Sequence, residues 1–150
     1  MKNGTVYSVK SVKVDYNQSL REMIEAGKYD WVNNNIIQEN FPVQGEGVQK
    51  VELVLIHLNG RMKTKQVLEE FEKQNLRLSR LPELLAFGAK YPNIQKQFRI
   101  IALGSVWVNS SGDYRVPYLG GFQGGNGRSL RLGWGRNGWG NIWRFLAARV

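Results

Sequence analysis

Arginine and aromatic side chains crowd the last third of the chain, and together they can grip anions and stack on planar groups. Residues 99–150 hold seven arginines, no lysine and one acid, Asp113. Four of the five tryptophans lie there too: Trp107, Trp134, Trp139 and Trp143. A guanidinium is a planar fork that holds phosphate or carboxylate through two parallel hydrogen bonds and stacks on aromatic faces. Basic charge interleaved with stackable rings is the footprint of nucleic-acid binders. Arg115, Arg128, Arg131, Arg136 and Arg144 are the candidate anion-binding groups. Tyr118, Phe122, Trp134 and Trp139 are the candidate stacking groups. Strand alternation puts Arg131 opposite Leu130 and Leu132, and Arg144 opposite Trp143 and Phe145. The expectation is that Arg131 and Arg144 form a cationic stripe on solvent-facing sides of adjacent strands. The competing reading is that the tryptophans fill the core and the arginines are solubility charges. No RNP-type string, helix-turn-helix spacing or zinc motif accompanies the arginines.

Other residues offer less. Gly133-Trp-Gly-Arg-Asn-Gly138 matches a GxGxxG string. A dinucleotide site needs a helix after that string and an acid about 20 residues on. The segment that follows reads as a strand, so the string is a hairpin turn. His57 is the only histidine and alternates with apolar residues on a strand. It reads as a packed or hydrogen-bonded core residue, with general base as the alternative. Glu69, Glu70 and Glu72 interleave with an apolar stripe and read as a solvated helix face. Glu22, Glu25 and Glu83 read as cap or surface charges. Asp30 beside Trp31 and Asp113 beside Tyr114 read as turn aspartates, with pocket residues as the alternative. No spacing points to a metal, a cofactor or a catalytic residue.

The elements that must carry these groups are those of an α+β domain. A chain of 150 residues with 42% hydrophobic and 22% charged residues can bury one substantial core, so a single domain over residues 1–150 is expected. No cysteine is present, which excludes a disulfide scaffold, thiolate zinc and a cysteine nucleophile. No apolar run reaches transmembrane length, and the first residues lack the apolar core of a signal peptide. A cytoplasmic protein without membrane contact is expected, and three sequons at Asn3, Asn17 and Asn109 need no glycan. Valines and lysines over Val6–Val14 predict a strand, and Ser19 with Glu22 predicts a capping box on a helix over Leu20–Ala26 that Gly27 ends. Residues 29–42 are ambiguous between a helical turn and an irregular packed segment. Val48–Leu58 predicts a strand covered on both sides. Thr64 is expected to cap a helix to about Asn75, with Val67, Leu68 and Phe71 buried. Leu81–Ala89 predicts another helix with Pro82 in its first turn. Strands are expected over Phe98–Val108, Tyr114–Leu119, Arg128–Trp134 and Ile142–Val150. A hairpin turn at Asn109–Gly112 and a glycine-rich loop over Gly120–Gly127 join them. The N-terminal strand and short helices would pack on a mainly antiparallel sheet built largely from the C-terminal half.

Leu81-Pro-Glu-Leu-Leu-Ala86 is followed by Ile101-Ala-Leu-Gly-Ser105, Val116-Pro-Tyr-Leu119 and Arg144-Phe-Leu-Ala-Ala-Arg149. This series resembles uncharacterised short hypothetical proteins from uncultivated bacteria and mobile gene collections. The resemblance covers about two thirds of the chain and implies no activity. A helix opening with Leu-Pro-Glu-Leu, hairpins and a final strand ending in arginine is also similar to bacterial proteins of C-type-lectin-like fold. Here Leu103-Gly104-Ser105 replaces the usual Trp-Ser-Ser/Thr element, and no disulfide is possible.

The functional expectation is a non-enzymatic binding or interaction module. Its basic, aromatic C-terminal sheet would take nucleic acid or an anionic small ligand. The alternatives are a homodimeric partner-binding protein and a small enzyme.

Overall fold

The computed structural model describes residues 4–58, 60–135 and 138–150, with side chains from residue 10 onward. Arg136, one of the candidate anion-binding groups, lies outside the described residues, as does Asn59 of the expected Asn59–Gly60 turn. The fold is α+β, with three helices and a nine-stranded mixed sheet among the described residues. In chain order the elements are β1 (Gly4–Asp15), α1 (Leu20–Gly27), β2 (Trp31–Val32), β3 (Val48–Leu58) and α2 (Thr64–Lys73). Then come β4 (Leu76–Leu78), α3 (Leu81–Lys90), a 3-10 turn (Ile94–Lys96), β5 (Arg99–Ile101) and β6 (Trp107–Val108). β7 (Tyr114–Phe122), β8 (Gly127–Trp134) and β9 (Trp143–Arg149) complete the chain.

The sheet runs β1-β3-β9-β5-β7-β8-β2, with β4 paired to β9 and β6 to β7. Most pairs are antiparallel, but β5 lies parallel to β9 and β2 parallel to β8. The sheet is therefore not confined to the C-terminal half: the long β1–β3 pair forms one end of it. Alternation divides its side chains between two faces. One face carries Leu53, Leu55, Ile100, Leu119, Leu130, Leu132 and Leu146, packed beneath α1 and α3. The other carries Val54, Ile56, Ile101, Val116, Phe145 and Ala147, with Val67 and Phe71 of α2 over them. Phe71 meets Phe145 edge to face, with ring centres 6.2 Å apart. Ile101 of β5 and Val116 of β7 are buried on this face as well, whereas Trp31 and Arg99 stay exposed and Tyr118, Phe122 and Arg131 half-buried, so the open part of the face lies toward β7, β8 and β2.

Local signals set most element ends. Ser19 Oγ accepts from Glu22 N–H at 3.1 Å and Glu22 accepts from Ser19 N–H at 2.9 Å, the predicted capping box. The left-handed residue that ends α1 is Lys28, at φ 52°, and not Gly27. Residues 29–42 settle as the two-residue strand β2 followed by turns. In α2 the cap is Lys63, whose N–H donates to Gln66 Oε1 at 2.9 Å. Thr64 instead donates its hydroxyl to Gly135 O and accepts from Trp139 Nε1. Leu68, expected inside, is 40% exposed, and Glu70, expected outside, is 4% exposed. Helix period alone cannot say which side of a narrow apolar stripe meets the sheet. The glycine-rich loop is also shorter than expected, because Gly120 and Gly121 lie within β7 and only residues 123–126 turn.

The expected strand over Phe98–Val108 is broken after Ile101 because its middle anchors α3. Ser105 Oγ accepts the N–H of Leu81, the first residue of α3, at 2.7 Å. Gly104 N–H donates to Ser79 O at 2.8 Å. A Cβ on Gly104 would stand 2.4 Å from that same carbonyl oxygen. Gly104→Ala should therefore lower stability by about 1–3 kcal/mol through forced backbone movement. Urea unfolding checks this, and an unchanged midpoint would show that the contact yields freely.

Candidate functional site

The predicted arginines do not act as a group. Arg128 is 8% exposed and Arg144 is 5% exposed. Arg128 donates to the carbonyls of Pro92, Gly27 and Gly88 and to Gln95 Oε1, with its guanidinium 4.7 Å from the Tyr29 ring centre. Arg144 lies under Phe98, 4.0 Å from the ring centre, and donates to Asn141 O. β9 and β8 are also not neighbours, because β5 and β7 stand between them. The expected stripe of Arg131 and Arg144 is corrected on both counts: the two residues are on non-adjacent strands, and Arg144 points into the helix-covered face. Trp139 is corrected likewise. It is buried in the second core and cannot stack on a ligand. Arg115 and Trp134 pair with each other, 4.0 Å from guanidinium to ring centre, and strand alternation places both on the helix-covered face at the sheet margin.

Three predicted residues, Tyr118, Phe122 and Arg131, do converge, on the face that α2 leaves open. Tyr118 lies directly across from Arg131 in the β7–β8 ladder. The Arg131 guanidinium stands 4.8 Å from the Trp31 ring centre and 6.0 Å from that of Phe122, and its Nε donates to Ser129 Oγ at 2.8 Å. Trp31 pairs with Ser129 through the parallel β2–β8 contact. On the other side of Tyr118, the Arg99 guanidinium is 5.7 Å from the Tyr118 ring centre and 5.3 Å from that of Trp143. Tyr118 and Trp143 meet edge to face at 4.8 Å. The result is an alternating row, Trp143–Arg99–Tyr118–Arg131–Trp31, that crosses β9, β5, β7, β8 and β2. At about 4.8 Å per strand it spans roughly 19 Å.

Small residues keep the floor of this row low. The Tyr118 ring packs 3.4 Å from where a Cβ on Gly120 would stand and 3.5 Å from one on Gly133. Trp31 is 39% exposed and Arg99 is exposed, while Tyr118, Phe122, Arg131 and Trp143 are half-buried. Among the described residues no carboxylate lies in the row, and neither Arg99 nor Arg131 forms an ion pair. Stacked guanidiniums keep their N–H edges available for an anion. Sequence reading missed Arg99, Trp31 and Trp143 as site residues. Arg99 and Trp143 already stood in the arginine–tryptophan-rich segment, but Trp31 is far away in sequence and comes near only through β2.

The remaining candidates lie elsewhere. His57 is half-buried on the opposite face, where burial first and then the Arg144 charge hold its imidazole below the ordinary value. Asp30 accepts the Arg128 backbone N–H at 2.8 Å, and the turn before Asp113 is built on Asn109 Oδ1. Gly133 and Trp134 of the GxGxxG string end β8, Arg136 and Asn137 lie outside the described residues, and the next element is β9, not a helix. Among the described residues no three His, Asp or Glu side chains gather to hold a metal ion, and no helix is long and apolar enough to cross a membrane. Compared with protein-family models, curated proteins and solved structures, the chain has no match in any of the three.

Proposed function

We propose that this protein binds single-stranded nucleic acid along the open face of its sheet. The observation that supports the reading is the row Trp143–Arg99–Tyr118–Arg131–Trp31, in which rings able to stack on bases alternate with guanidiniums able to meet phosphates. Every base offers a stacking face, so such a row is tolerant of sequence. A span of roughly 19 Å on a pleated sheet suits a few unstacked nucleotides. A duplex hides its base faces and cannot use the rings, so the strand is the better fit. The net charge of +9 adds a long-range attraction for polyanions.

Anisotropy of a labelled decanucleotide tests the reading. Single strands should bind more tightly than the same sequence as duplex. With two phosphate contacts, from Arg99 and Arg131, log K should fall against log salt with a slope of about −1.4. Trp31→Ala and Arg131→Ala should each weaken binding about tenfold, the scale of one lost stacking contact, with melting temperature nearly unchanged. Duplex binding that equals strand binding and ignores Trp31→Ala would reduce the interaction to bulk charge and refute the assignment.

A further inference from the structure

The Trp143–Arg99–Tyr118 half of the row borders a cleft of about 410 Å³. Arg61, Arg99, Tyr118, Gly133 and Trp143 are among its lining residues. We propose that this cleft receives the terminal phosphate monoester of a single strand lying on the row, an inference that rests on the strand-binding reading above.

Three observations carry it. The first is charge. Among the described residues two guanidiniums line the cleft and no carboxylate does. Among the described residues neither Arg61 nor Arg99 forms an ion pair. Arg61 is exposed and lies over two glycines: its Nε lies 3.0 Å from where a Cβ on Gly138 would be, and Nη1 lies 3.8 Å from the same point on Gly140. A side chain at 138 would make the guanidinium shift by a few tenths of an ångström.

The second is closure. Met62 and Trp139 exchange backbone hydrogen bonds of 3.0 and 2.7 Å, which ties the Gly138–Gly140 segment to the approach of α2. Behind it stands a block of edge-to-face rings, Trp143 to Trp139 at 4.9 Å, Trp139 to Phe145 at 6.1 Å and Phe145 to Phe71 of α2. A strand that runs from Trp31 across the sheet meets this wall at Trp143, beside the cleft.

The third is stoichiometry. A phosphodiester carries one negative charge, whereas a monoester carries between about 1.5 and 2 at neutral pH and exposes three acceptor oxygens. Two forked donors without carboxylate partners match the monoester better. Lys63 and Lys65, which border the neighbouring hollow together with Arg61, add to the positive field at that end.

The test compares three labelled hexanucleotides of one sequence, carrying a 5′-phosphate, a 3′-phosphate or neither, on the wild type, Arg61→Ala and Trp31→Ala. One phosphorylated form should bind the wild type about tenfold more tightly than the unphosphorylated strand, the scale of added charge-assisted hydrogen bonds. Arg61→Ala should abolish that preference while leaving affinity for the unphosphorylated strand within about twofold, since Arg61 lies outside the row. Trp31→Ala should weaken all three strands together and keep the preference. Equal wild-type affinity for all three strands, or a preference that survives Arg61→Ala, overturns the terminal-phosphate inference and leaves the strand-binding reading standing. No binding of any strand overturns both.

Discussion

Arg128→Ala should lower the unfolding free energy by about 4 kcal/mol, the largest loss expected of any single arginine in this chain. The guanidinium serves four acceptors at once: the carbonyls of Gly27, Gly88 and Pro92 and the side-chain oxygen of Gln95. Gly27 is the last residue of α1 and Gly88 lies in the last turn of α3. The C-terminal ends of two helices therefore converge on one cation, where their orphan carbonyls and dipoles favour positive charge. Truncation leaves three buried acceptors without a donor at about 1–3 kcal/mol each, and the part-buried Pro92 carbonyl besides, partly recovered by relaxation and water. Arg128→Lys should restore little, because one ammonium cannot span the four acceptors that the planar fork reaches. Gln95 ties the same region to the sheet by donating to Gly120 O and Ser129 O at 2.9 and 3.1 Å. Asp30, next to Trp31, accepts from the Arg128 backbone, so loosening this clamp should also displace Trp31 and weaken strand binding. Urea unfolding of the two variants checks the size of the effect. A loss below about 1 kcal/mol for Arg128→Ala would mean that water replaces the clamp at little cost.

Glu83→Gln should cost about 3 kcal/mol at neutral pH and should remove an acid-sensitive part of the stability. Glu83 is buried beneath the start of α3. Burial by itself pushes its carboxyl upward. Two hydrogen bonds from Arg77 at 2.9 and 2.7 Å, one from the Tyr16 hydroxyl at 2.7 Å and one from Arg80 N–H at 2.9 Å outweigh that and hold it below the ordinary value of 4.5. Burial first, and then the Glu83 hydrogen bond, push the Tyr16 phenol above its ordinary range, so it stays a donor at all usual pH values. A carboxyl whose value is depressed in the folded state contributes stability that is present above its unfolded value and is lost as pH falls through the folded one. Wild-type stability should therefore drop as pH falls from about 5, and the difference between wild type and Glu83→Gln should shrink over that same interval. A difference that stays constant from pH 7 to pH 3 would show that the Glu83 carboxyl is not depressed in the folded protein, and one that grows as pH falls would show that it is held neutral there. Glu83 reads in the sequence as a cap or surface charge. Its N3 position in α3 was legible, but its partner Tyr16 is 67 residues away.

Short-range chemistry was readable residue by residue. The Ser19–Glu22 box, the Pro82 start of α3 and the valine-rich strand before Asp15 all depend on neighbours within one turn or one pleat. The concentration of arginine and tryptophan in residues 99–150 was equally plain, because composition needs no coordinates. The division of labour among those residues was not. Arg128, Arg131 and Arg144 are alike in type and all lie on strands, yet Arg128 caps two helices, Arg144 packs under Phe98, and Arg131 alone stays on the open face. Alternation tells which residues share a side of a strand, but not which side the helices will cover. That choice follows from strand order. β5 and β7 are inserted between β9 and β8, and α2 packs on only part of one face. The same order draws Trp31 to Arg131 across 100 residues of chain and seats Arg99 between Tyr118 and Trp143. Such pairings are fixed by long-range ladder hydrogen bonds and by which apolar faces must be buried against each other, and neither leaves a mark in local spacing.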